Sequence, residues 1–192
     1  MKKILYLLVL FAVIPACLYL ALDRENVDID EFRLNSGYQE VKLSEGITSY
    51  KDIGDKNSKV IILVHGATFG SLAYEEYVNV FLENNYRVIT YDQYGRGYSD
   101  RIQSGVSIEL MEKQLKELIK HCEVEDVILY GVSFGAAVVA KYAANNPENI
   151  SFIGYQVPLI NSANVPLLSI VKIPLYGDLL SRGFLVPGVL KR

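Results

Sequence analysis

Two patterns of apolar residues take turns along the middle of this chain. Residues 59–64 (KVIILV) form an unbroken, β-branched run, the pattern of a strand buried on both faces. Over residues 71–84, Tyr74, Tyr77, Val78, Phe81 and Leu82 recur at helical spacing instead. Residues 87–91 (RVITY) return to strand character, and Ile108, Met111, Leu115, Leu118 and Ile119 mark a second amphipathic helix. Residues 126–130 (DVILY) predict a third core strand, 134–145 an Ala-rich helix, and 150–157 (ISFIGYQV) a fourth strand. Ahead of these, 37–46 and 47–53 read as a hairpin around Ser44-Glu45-Gly46, with weak alternation at Val41, Leu43, Ile47 and Tyr50. Strand and helix in strict turn predict an α/β fold, a mostly parallel sheet with helices on both faces. Ligands of such sheets bind beyond the carboxyl ends of the strands. Three distinctive loops fall there: His65-Gly66, 92–100 and 131–135.

The first 22 residues follow neither pattern. Residues 4–22 carry no charge, and Lys2 and Lys3 precede them. A helix over this run would be about as long as the ~30 Å hydrocarbon core of a bilayer is thick. It reads as a signal-anchor or transmembrane segment that ends abruptly at Asp23 and Arg24. A cleaved signal peptide is a second reading, although no clear A-x-A site follows. A lipoprotein signal is a third, since Ile14-Pro15-Ala16-Cys17 resembles a lipobox. In each case the two lysines keep the N-terminus cytoplasmic and turn the following domain outward. Residues 23–36 then read as a polar linker, 37–164 as the core domain and 165–192 as the start of a further region.

Charge and composition narrow the partners. Taking the two lysines of the apolar segment from the 19 basic residues of the chain, against 22 acidic ones, leaves the rest near −5. No basic cluster suits nucleic acid. Cys17 lies in the apolar run, so Cys122 has no disulfide partner in the domain and reads as a small core residue. Neither a metal-ligand cluster nor a G-x-G-x-x-G or Walker loop is present, so no cofactor is expected.

Gly131-Val132-Ser133-Phe134-Gly135 fits G-x-S-x-G. The bare pattern is common; its context between a core strand and an Ala-rich helix is what makes it specific. A serine on such an elbow takes a strained backbone, and glycines on both sides let neighbouring backbone approach. The helix that follows favours developing negative charge at its N-terminus. The N–H of Phe134, next after the serine, is a candidate oxyanion donor. Gly66 lets the chain turn sharply after the first core strand. His65 beside it reads as a structural histidine bonded to nearby backbone rather than as a catalytic one.

KVIILVHG, VITYDQYGRGYSD and DVILYGVSFGA, in this order and spacing, resemble the α/β-hydrolase family. They are most similar to its small esterases, peptidases and C–C hydrolases with an Asp-x-x-Gly-x-Gly-x-Ser loop, here Asp92, Gly95, Gly97 and Ser99. The resemblance covers about residues 40–160. It implies Ser133 as nucleophile, the backbone N–H groups of Ala67 and Phe134 as oxyanion donors, and His65, Gly66, Gly131 and Gly135 as supporting positions. It further implies a lid beginning within 165–192 and a small ester or amide substrate.

The same family orders its triad Ser, Asp or Glu, His, yet no histidine follows Ser133. The later acids are Glu148, which reads as a turn residue, and Asp178. His121 precedes the strand 126–130 and is expected at the opposite sheet edge, about 20 Å away. Three expectations follow: a membrane-anchored serine hydrolase represented by its N-terminal portion, a non-catalytic binding module, or one half of a split enzyme. In each, the strand 150–157 is left as an open parallel edge that a protein partner could cover.

Overall fold

The computed structural model describes residues 3, 6–7, 9–22, 28–34, 36–102 and 105–158. The chain divides into two units, Asp28–Ile160 and a second made of Met1–Val27 and Asn161–Arg192. In the second unit a π-helical turn, Val9–Val13, runs into helix α1, Ile14–Leu22. Pro15 lies where the π-helical turn passes into α1. Among the described residues no helix is long and apolar enough to cross a membrane. The expected span over 4–22 is described only in part, and the expected lid over 165–192 lies outside the described residues.

The first unit opens inside the stretch that reads as polar linker. Asp28 caps a short helix, α2 (Ile29–Arg33), by accepting from the Asp30 N–H. Arg33 is buried: its Nε donates to the Tyr98 carbonyl at 2.6 Å and its Nη2 to Asp100 at 2.6 Å. Residues 28–33 therefore belong to the domain. The anchor acts across 67 sequence positions, so no local pattern announces it.

The strands are β1 (Gln39–Lys42), β2 (Ile47–Ile53), β3 (Val60–Val64), β4 (Arg87–Tyr91), β5 (Val127–Val132) and β6 (Ile150–Gln156). They form one sheet in the order β1-β2-β4-β3-β5-β6. The pairs β1–β2 and β2–β4 are antiparallel; β4–β3, β3–β5 and β5–β6 are parallel. This is the expected mostly parallel sheet, with the hairpin added at one edge. All five residues of β3 are buried, each side chain contributing roughly 1.5–3 kcal/mol by leaving water.

Alternation along the central strands feeds two cores. Ile62, Val64, Ile89 and Leu129 pack with Met111, Leu115 and Leu118 of α4 (Ile108–His121) and Val138 and Val139 of α5 (Phe134–Asn145). Ile61, Leu63 and Val88 pack on the other face with Tyr74 and with Val78, Phe81 and Leu82 of α3 (Glu75–Glu83). Cys122 joins the first core, as a small apolar residue should. At the far edge, β6 carries the exposed side chains of Phe152 and Tyr155. Its pairing with β5 slips by one residue, since Val127 faces Ile150 but Ile128 faces Phe152.

The segment expected to be helical from residue 71 begins as a 3-10 turn, Ser71–Tyr74, before α3. Asp92 is responsible. Its Oδ1 accepts from both the backbone N–H (2.7 Å) and the hydroxyl (2.8 Å) of Ser71, and its Oδ2 from the Tyr98 N–H (2.9 Å). The Asp92 carbonyl also accepts from Ser99 Oγ and from Gln114. A Cβ at Gly97 would lie 2.1 Å from the carboxylate, which is why a side chain is excluded there. The Asp92→Ala variant loses three hydrogen bonds to the carboxylate, two of them buried, and should cost about 3 kcal/mol or more. Urea unfolding measures this; a loss under about 1 kcal/mol would show that the loop stands without the carboxylate.

Candidate active site

Ser133 stands between β5 and α5 at φ 52°, ψ −114°, a conformation costly for a residue with a Cβ. Two hydrogen bonds and the close packing of three glycines enforce it. Its N–H donates to the Gln156 carbonyl at 3.0 Å, and its carbonyl accepts from the Ala136 N–H at 3.1 Å. The flanking glycines let α5 press against the sheet: a Cβ at Gly135 would lie 2.1 Å from the Val64 carbonyl, and one at Gly131 2.7 Å from Ala136 Cα. Gly66 completes the fit, since a Cβ there would meet Ser133 Cβ at 3.3 Å. The motif's glycines are thus required by close approach. The structure brings Ser133, His65, Gly66 and Ala67 to one cavity of about 270 Å³, with Phe134 the next residue along the chain.

His65 is fully engaged. The Gln93 N–H donates to its Nε2 at 2.8 Å, so that nitrogen is unprotonated, and Nδ1 donates to the Gly66 carbonyl at 2.6 Å. Its lone pair is therefore committed to backbone and is not available to take a proton from Ser133. This is the structural role the sequence suggests. It has a geometric consequence, because in a trans peptide C=O and N–H point opposite ways. Drawing the Gly66 carbonyl toward the buried ring turns the N–H of Ala67, on the same peptide, away from it. Among the described residues that N–H has no partner. The N–H of Phe134, in the first turn of α5, has none either. Arg96 braces the same loop, its Nε donating to the Ala67 carbonyl at 3.0 Å. His121 lies at the end of α4, bonded to the Tyr50 hydroxyl at 3.0 Å, on the chain before β5 begins.

The sequence does not reveal the rest of the cavity. Tyr74, Tyr77, Val132 and Gln156 line it together with Thr68 and Phe69. Tyr74 donates to the Val64 carbonyl at 3.0 Å, and burial raises its pKa. A glutamine closing an apolar strand was the one available signal for Gln156. No group of acids, histidines or cysteines among the described residues could hold a metal ion.

Comparison with known proteins points to the same fold. The sequence profile of the serine aminopeptidase (S33) family matches residues 55–173. The chain belongs to this family of α/β-hydrolases. This S33-type chain is 31% identical over 107 residues to an AB hydrolase superfamily protein of Bacillus subtilis, covering 55% of the chain and 39% of that protein. It is 27% identical over 100 residues to a bifunctional esterase/perhydrolase of Acinetobacter calcoaceticus, covering 52% and 36%. Among solved structures, an esterase from Exiguobacterium antarcticum superposes with a TM-score of 0.60 at 25% identity, over 64% of this chain and 46% of that one. The chain thus spans between a third and two-fifths of the curated relatives' length.

Burial lowers the His65 pKa below its ordinary 6.5, although the bond to Gly66 opposes this. Protonating Nε2 would set two N–H groups face to face with Gln93. The stability gained by keeping the ring neutral is therefore full above about pH 6.5 and is lost as the pH falls toward the lower folded value. Unfolding free energy should decline from pH 7 to pH 5, and less steeply in His65→Gln. Equal slopes in urea titrations of the two proteins would overturn this assignment.

Proposed function

We propose that this chain carries the nucleophile half of a serine hydrolase for small ester-type substrates, amides being the alternative. Ser133, strained on its elbow at the cavity floor, carries the reading. Its Oγ would attack the substrate carbonyl carbon, and the carbonyl π electrons would move to oxygen. The N–H groups of Ala67 and Phe134 would receive that oxyanion, aided by the N-terminus of α5. Collapse would expel the alcohol and leave an acyl-serine for water to hydrolyse. Each oxyanion donor contributes on the order of 3 kcal/mol in comparable sites. The esterase/perhydrolase relative supports an ester-type substrate. No cofactor enters this scheme.

The hydroxyl proton needs an acceptor, and neither of the chain's two histidines fits. An aspartate and histidine supplied from beyond these residues would complete the site. A protein partner at the β6 edge, unpaired among the described residues, would bring them. The commitment of the His65 lone pair to backbone favours a second reading, a cavity that binds without turnover. Fluorophosphonate labelling separates the two. Labelling that disappears in Ser133→Ala supports an activated nucleophile; a folded chain that resists the probe supports the binding module.

We also propose that residues 4–22 tether the protein to a membrane with the domain outside the cytoplasm. The uncharged run and the preceding Lys2 and Lys3 support this. The full chain should then sediment with membranes and resist carbonate extraction. Recovery in the soluble fraction would rule the tether out.

A further inference from the structure

Among the side chains lining the Ser133 cavity, Gln156 is an amide that the chemistry above leaves unused. Gln156 is the last residue of β6, and two features hold it in place. Its backbone carbonyl is tied to the Ser133 N–H at 3.0 Å. Its Oε1 accepts from the Tyr130 hydroxyl at 2.7 Å and, more weakly, from Tyr77 at 3.5 Å. With Oε1 occupied by tyrosine hydroxyls, the two N–H donors of the amide have no partner among the described residues.

We infer that Gln156 is a specificity-determining residue whose amide N–H groups bind an oxygen acceptor on the substrate group that fills the tyrosine-lined pocket. This rests on the hydrolase reading and deepens it. Besides the His65 imidazole, the other described side chains that line the cavity are apolar or hydroxyl-bearing. A neutral ether, hydroxyl or carbonyl oxygen would satisfy the amide. At about 270 Å³ the space suits a short chain rather than a fatty one. The favoured substrates are thus small esters whose chain carries a neutral oxygen. Tyr130 acts through Gln156 as a positioning residue: it occupies Oε1 and so keeps the amide's donors free.

The test uses two fluorophosphonates of equal length on the full chain, one with a methoxyethyl group and one with a butyl group. One neutral hydrogen bond predicts labelling about fivefold faster for the ether probe. The ratio should fall toward one in Gln156→Leu and drop in Tyr130→Phe. An unchanged ratio in Gln156→Leu would overturn the inference and leave the nucleophile standing. Binding is read without chemistry in Ser133→Ala by titrating methoxyacetamide against butanamide. The Gln156 side-chain amide resonances, assigned by their loss in Gln156→Leu, should shift with the first and not the second. Equal shifts, or none, would sink the assignment. That shift in a chain that no fluorophosphonate labels would instead remove the hydrolase reading and keep the binding residue.

Discussion

The buried carboxylate of Asp92 is the point from which the upper rim of the sheet is suspended. Placed at the end of β4, it accepts from the residue that starts the 3-10 turn before α3 and from Tyr98 in its own loop. An unpaired carboxylate there would be prohibitively costly, so these donors are obligatory partners as well as stabilising ones. Through Ser71 the carboxylate sets where Tyr74 and Tyr77 enter the cavity wall. Through Tyr98 it closes the loop that Arg33 and Asp100 then fasten to α2. The loop's glycines follow from the same constraint, because Gly70 and Gly97 are the positions where the chain passes against the carboxylate.

On that frame the site divides its labour between backbone and side chain. Backbone strain at Ser133 positions the hydroxyl, and close glycine contacts sustain the strain. His65, the conspicuous ionisable residue nearby, holds a peptide plane instead of moving a proton. On the proposed reading, Ser133 and the two N–H groups would serve acyl transfer, and its proton transfer would fall to a residue other than these histidines. An oxyanion site alone can sustain a residual rate, far below that of a complete triad.

Much of this was legible in the sequence, for identifiable reasons. The β-branched runs at 59–64 and 87–91 have no helical alternative, and the spacing of Met111, Leu115 and Leu118 admits only one buried face. The elbow could be read because G-x-S-x-G needs its glycines for contacts that recur wherever the turn occurs. The role of His65 was readable from its place beside a buried strand end. The α2 helix was not, because five mostly polar residues gain their order from Arg33 reaching Tyr98 and Asp100. Tyr77, Tyr130 and Gln156 were not read as site residues either, because their meeting depends on how β5 and β6 are aligned.

That alignment makes the slipped pairing at Val127 and Ile128 a matter of parity. Side chains on a strand alternate between faces, so one skipped residue at the foot of β6 exchanges the two faces along everything above it. As built, Tyr130 lies opposite Gly154, where only a missing side chain leaves room for its ring, and Val132 lies opposite Gln156. Without the slip, Ile153 would confront that ring and Tyr155 would stand beside Val132. Ser151, exposed and remote from any chemistry, is the residue that the slip leaves unpaired. Closing the bulge with Ser151 kept would leave every residue of the cavity present and hand its wall to the wrong face of the strand, whereas deleting Ser151 would remove the bulge and keep Gly154 opposite Tyr130.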